Sequence, residues 1–160
     1  MNHQSNSAIQ IRRATSADAQ KLSRLIDENA QLLLKPHYSA LQLEIFLRYY
    51  STQAMHEKLK KQIIFCAEIN HQLVGTIALE GDFVVGFYTE VSRVNQGIGS
   101  ALLDYLENHA RTQGLDKIQL SASPVGVHFY ERKGWKKMQD IVVDYLGVGF
   151  EETLMQKCLK

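Results

Sequence analysis

The sequence has almost no charge imbalance: 18 Lys and Arg stand against 17 Asp and Glu in 160 residues, a formal net charge of +1. No global field therefore exists to recruit nucleic acid or an anionic membrane, and neither is expected as a partner. Two short basic runs, "KLKK" from Lys58 and "RKGWKK" from Arg132, read as solvated helix and turn surface. No apolar run approaches the ~20 residues of a membrane span. The polar start "MNHQSNSA" lacks the apolar stretch of a secretory signal, so none is expected. Cysteine is scarce: Cys66 and Cys158 are far apart and form no Cys-x-x-Cys pair. Two free, mostly buried thiols in a reducing compartment follow, and the cytoplasm is the expected location. The six histidines form no ligand pattern, and "HEKLK" lacks the second His of a zinc helix, so no metal is expected. Repeats, low-complexity segments and linkers are also missing. One domain over residues 1–160 is expected, with residues 1–8 a flexible tail.

What is present suffices for a core, since 45% of the residues are hydrophobic. "IQIRRAT" from Ile9 alternates as a strand, and Ser16 begins a helix with Leu22, Leu25, Ile26 and Leu32 at helical spacing. Pro36 breaks that helix. A second helical region starts at Ser39 and is long enough to bend or split near Ser51. "IIFCAEI", "LVGTIALE" and "DFVVGFYTEV" are three consecutive strands, the last nearly apolar and so central in its sheet. A helix follows with Ile98, Leu102, Tyr105, Leu106 and Ala110 on one face and Asp104, Glu107, Asn108 and Arg111 on the other, ended by Gly114. The strand "KIQLSAS", the short helix in "VGVHFYERKG" and two late strands complete the order β-α-α-β-β-β-α-β-α-β-β. This is an α/β (α+β) chain with a mixed sheet and helices packed on it.

The stretch "VSRVNQGIGSALLDYL" carries the strongest chemical signal. Gly97 and Gly99 let the backbone turn sharply and approach a ligand, and the amides around Val94 to Ser100 would open toward it at a helix N-terminus. The helix dipole adds roughly 0.3–1 kcal/mol for an anion placed there, so a pyrophosphate fits. A dinucleotide fingerprint would need a third glycine where Leu102 stands and an acid ending the next strand, which instead ends "LSAS". A Walker loop would need Lys-Ser/Thr where "GSA" stands. Nicotinamide and nucleoside triphosphate are therefore disfavoured.

Two segments, "FYTEVSRVNQGIGSALLDYLENHARTQG" and "LSASPVGVHFYERKGW", together resemble the GNAT superfamily of acyl-CoA N-acyltransferases. The first is similar to that family's strand, pyrophosphate loop and helix; the second is similar to its later strand and a helix ending Tyr-Glu-Lys-x-Gly-Phe. Val94 stands where the family's loop pattern has Gln or Arg, and Ser123 where it often has Asn. The resemblance implies a mostly antiparallel mixed sheet, splayed between its fourth and fifth strands and flanked by about four helices. It implies acetyl-CoA as the acyl donor, with Thr89 and Val91 bonding the pantetheine arm through their main chain. Val94, Asn95, Gln96, Gly97, Ile98, Gly99 and Ser100 would hold the pyrophosphate, mainly by backbone, and Ser123 and Phe129 would complete the cofactor site.

It further implies Tyr130 as the acid for the leaving thiolate, against the alternative of a helix aromatic packed on the sheet. The family's strand carboxylate has no counterpart in "FVVGF", so Glu80 or water is the candidate base. Arg48, Tyr49 and Tyr145, with Tyr50 and Phe150 near them, are the candidate acceptor contacts. The expected activity is N-acetyl transfer to a primary amine of a small molecule or peptide by direct attack in a ternary complex. The alternative is a non-catalytic acyl-CoA sensor on the same fold. Monomer and homodimer are both open.

Overall fold

The computed structural model describes residues 8–93 and 95–160; most of the expected N-terminal tail and Val94 lie outside them. The described residues form seven strands and five α-helices: β1 (Gln10–Arg13), α1 (Ala19–Asn29), α2 (Ala40–Tyr49), α3 (Thr52–Lys61), β2 (Ile63–Ile69), β3 (Gln72–Glu80), β4 (Phe83–Thr89), α4 (Ile98–Thr112), β5 (Lys117–Ala122), α5 (Val127–Arg132), β6 (Lys136–Tyr145) and β7 (Val148–Cys158). One sheet holds all seven strands in the order β1-β2-β3-β4-β5-β7-β6. All its pairings are antiparallel except β4 with β5, which run parallel. Among the described residues no helix is long and apolar enough to cross a membrane.

The centre of the sheet is buried on both faces, with a separate apolar cluster on each, while the edge strand β6 is largely exposed. Leu22 and Ile26 of α1, Phe46 of α2 and Met55 of α3 pack with Phe150 on one side. Ile98, Leu102 and Leu106 of α4 pack with Val74, Ile118 and Met155 on the other. The helical region from Ser39 splits at Ser51, as its sequence suggested. Ser39 caps α2 through Gln42 N–H, and Ser51 caps α3 through Ala54 N–H. Leu146 and Gly147, both with positive φ, make the tight connection between β6 and β7.

Several residue placements depart from the sequence reading. After α1 the chain makes a π-helical turn, Ala30–Leu34, before a 3-10 turn at Pro36. The extra residue of that turn shifts the helical face, so Leu34 is buried and Leu32 is 59% exposed. On α4, Glu107 is only 4% exposed and accepts from Lys157 Nζ at 2.9 Å and Trp135 Nε1 at 3.3 Å. These partners allow a carboxylate on a face that packs against the sheet. Tyr105, expected in the core, is exposed and lies against Phe65 at its edge. Cys66 is buried, but Cys158 is exposed at the end of β7.

Candidate active site

β4 and β5 part company soon after they meet. Phe83 faces Gln119, and Gln119 N–H donates to Asp82 O at 2.9 Å. A β-bulge in β4 helps drive the divergence. Thr76 pairs with Tyr88 and Ala78 with Val85, so Gly86 and Phe87 together oppose one residue, and Gly86 takes φ +54°. Beyond the bulge, Glu90 N–H donates to Val74 O on β3. Strand alternation then turns the main-chain groups of Thr89 toward the gap. Asn29, buried at the start of the π-helical turn, donates to Thr89 O at 2.7 Å and leaves the Thr89 N–H.

The loop after β4 carries the chain to α4. Val91–Arg93 is a single 3-10 turn, and Arg93 folds back onto Glu90 at 2.7 Å instead of reaching the loop. Asn95 and Gln96 are exposed, Asn95 at φ +65°, and Gly97 caps α4 at φ +83° with no side-chain bond to the helix N–H groups. Among the described residues the amides of Ile98, Gly99 and Ser100 therefore remain open at the end of a helix of 15 residues. Ile98 buries its side chain and offers only its backbone. A Cβ on Gly99 would meet Phe129 at 3.6 Å and Phe87 at 3.7 Å, so glycine keeps this wall thin.

Two cavities meet at the gap. One, of about 190 Å³, lies beside Asn29, Leu34, Thr89, Gly99 and Phe129. The other, of about 280 Å³, lies toward α2, α3 and β7. Phe87, Tyr88, Ser123 and Tyr130 border both. Tyr130 contacts the rings of Phe129, Phe87 and Trp135. Burial, then the nearby Glu152 charge, pushes its phenol above the ordinary value, so it is protonated at neutral pH.

The larger cavity is aromatic, with one carboxylate in its wall. Tyr49 and Tyr145 meet edge to face at 4.8 Å, and Tyr145 also meets Phe150 edge to face at 4.9 Å. The Tyr145 hydroxyl donates to Glu152 at 3.3 Å. Burial pushes the Glu152 carboxyl up to about 7, while the bond from Tyr145 works the other way. Lys58 lies on another part of the wall, with Nζ 3.6 Å from the Tyr49 ring centroid.

The sequence-derived acceptor residues divide accordingly. Tyr49 and Tyr145 line the cavity. Arg48 is on the exposed side of α2, paired with Glu44 at 3.2 Å, because one residue of helix turns it away from Tyr49. Glu80 is exposed at the end of β3, where it accepts from Gln62 Nε2 at 2.9 Å, and it is not part of the cavity wall.

Sequence reasoning passed over Glu152, although a signal was there. In a strand, residues two apart share a face, and Glu152 stands between Phe150 and Leu154. A carboxylate in that register points inward. Gly86 inside an apolar strand was likewise a bulge signal.

A sheet split between parallel strands, with a helix end that has no side-chain cap below the gap, is the frame of an acyl-CoA-dependent transferase. The family model for the acetyltransferase (GNAT) domain matches residues 34–158, and the chain belongs to that family. An uncharacterised N-acetyltransferase of Escherichia coli K12, YafP, is 26% identical over 148 residues, covering 92% of this chain and 95% of that protein. In fold, the chain is similar to a GCN5-related N-acetyltransferase of Rhodopseudomonas palustris, with TM-score 0.88 and 23% identity over 98% of this chain and 99% of that one. It is also similar to the PaiA N-acetyltransferase of Thermoplasma acidophilum, solved with coenzyme A, with TM-score 0.81 and 21% identity over 94% and 99% of the two chains.

Proposed function

We propose that the protein transfers the acetyl group of acetyl-CoA to a primary amine of a small molecule by direct attack, with donor and acceptor bound together. The observation that carries this reading is the pair of cavities meeting at Phe87, Tyr88, Ser123 and Tyr130. The smaller takes the pantetheine arm, through the Thr89 N–H and the main chain at Val91. The pyrophosphate rests on the backbone from Val94 to Ser100, with Asn95, Gln96 and Gly97 shaping the turn. The larger takes the amine.

In this reading Glu152 replaces Glu80 as the proton acceptor. An ordinary ammonium near pKa ~10 holds its proton too firmly for a carboxylate, but an apolar cavity lowers that value while it raises the acid's. Glu152 has moved up to about 7, which narrows the gap. Tyr130 keeps its proton and donates a hydrogen bond to the sulfur as the carbon–sulfur bond breaks, and the departing thiolate takes up the second proton that the nitrogen loses on becoming an amide. Ser123 borders both cavities, and Phe129 walls the smaller one.

Calorimetric titration with acetyl-CoA, followed by thiol release over a panel of amines, tests the proposal. Binding with amine-dependent release is the expected result. Binding with no release from any amine would favour an acyl-CoA sensor, and no binding would end both readings.

A further inference from the structure

We propose that the acceptor is a small zwitterion whose amine lies at Glu152 and whose carboxylate lies at Lys58. The inference rests on the acetyl-transfer reading and concerns the same larger cavity. Its wall carries two charged side chains of opposite sign, Lys58 from α3 and Glu152 from β7. The Tyr49 and Tyr145 rings, in edge-to-face contact, separate them: Lys58 Nζ sits over Tyr49, and Glu152 accepts from Tyr145.

Lys58 is half-buried, and its recorded hydrogen bond goes to a neutral group, Tyr49 O at 2.8 Å. That leaves two of its three N–H donors for a ligand. Its Nζ is also 5.2 Å from the Tyr50 ring centroid, so two aromatic rings stabilise the cation without neutralising it. Burial brings its pKa down to about 8, with the Glu80 charge working against that shift and Lys61 adding to it, so the ammonium is still mostly charged at neutral pH. A partly desolvated cation of this kind gains most from an anion that enters with it.

Glu152 supplies the complementary end. An amine lacking an anionic group would satisfy Glu152 but leave Lys58 with no counter-charge inside the cavity, since the Glu80 carboxylate that acts on it stands outside the wall, and a second ammonium there would be repelled. A cavity of about 280 Å³ is close to the lower end of small-ligand sites, so the acceptor is of amino-acid size. The tyrosine rings between the charges suit an apolar body.

The test is calorimetry on the protein–CoA complex with two matched sets: phenylalanine, phenylalaninamide and phenethylamine; then 5-aminopentanoate, its amide and butylamine. At least one acid should bind tenfold or more tightly than its own amide and amine. Lys58→Met should reduce that acid's affinity at least tenfold. Amides or plain amines binding as well as both acids would overturn the inference, as would failure of both acids to bind. The wild-type ranking decides the matter even if Lys58→Met does not fold. CoA is titrated first: if CoA itself fails to bind, the acetyl-transfer reading falls, whereas bound CoA with a preference for uncharged amides removes the zwitterion alone.

Discussion

Glu152 is costly to the fold at the pH where it is useful. Its carboxyl titrates near 7 in the folded chain, above the ordinary 4.5, so the folded state holds an extra proton between those values. Stability is therefore greatest below that window and falls as pH rises through it, by on the order of 3 kcal/mol when complete. Glu152→Gln removes this penalty. Its melting temperature should exceed wild type by several degrees at pH 8 and match it near pH 4, as read by thermal denaturation. Activity should move the other way: a variant without the base should lose about a hundredfold or more in kcat/KM. Tyr130→Phe belongs to the same scale. It should lower kcat tenfold or more while acetyl-CoA affinity, measured by calorimetry, stays within about threefold.

Among the elements, the loop that opens α4 shows how backbone and not side chains can make a site. Gly97 adopts φ +83°, and a Cβ there would have open space around it. Gly97→Glu should therefore fold, with a strain of about 1 kcal/mol, yet place a carboxylate where the pyrophosphate binds. A fall of at least a hundredfold in acetyl-CoA affinity is expected; unchanged affinity would mean the phosphate lies elsewhere. The two glycines made the turn into α4 legible in the sequence, but Gly-x-Gly alone is a weak phosphate signal, and that reading leaned on the second motif about thirty residues later. The bulge at Gly86 and the π-helical turn at Ala30–Leu34 were not read. Both insert a residue into an otherwise regular element, and periodicity alone does not reveal an insertion. At the first strand, Arg12 grips Asp18 through two bonds of 2.8 and 2.9 Å and reaches Glu68 at 3.1 Å. Arg12→Ala leaves the buried Asp18 without its main partner and should cost about 2–3 kcal/mol in denaturant unfolding.

For the whole molecule, strand order was legible and side-chain convergence was not. Apolar runs and turn residues gave the succession of elements, and the two motifs gave the sheet with its splayed centre. β7, last in the chain, inserts between β5 and β6. That crossing carries Glu152 to the middle of the molecule, some seventy residues away in sequence from Glu80, and only the folded arrangement brings it near Tyr130. A cleft built by such long-range pairing should tighten when filled. CoA at a hundred times its dissociation constant should add about 2.7 kcal/mol, a rise of roughly 5–10 °C in melting temperature. The most direct measurement of the central claim is the pH dependence of amine-driven thiol release from acetyl-CoA, run on wild type and Glu152→Gln together. The account predicts wild-type kcat/KM rising with pH through a half-point near 7, and a variant at least a hundredfold slower without that inflection. A variant with the wild-type rate and profile would contradict it.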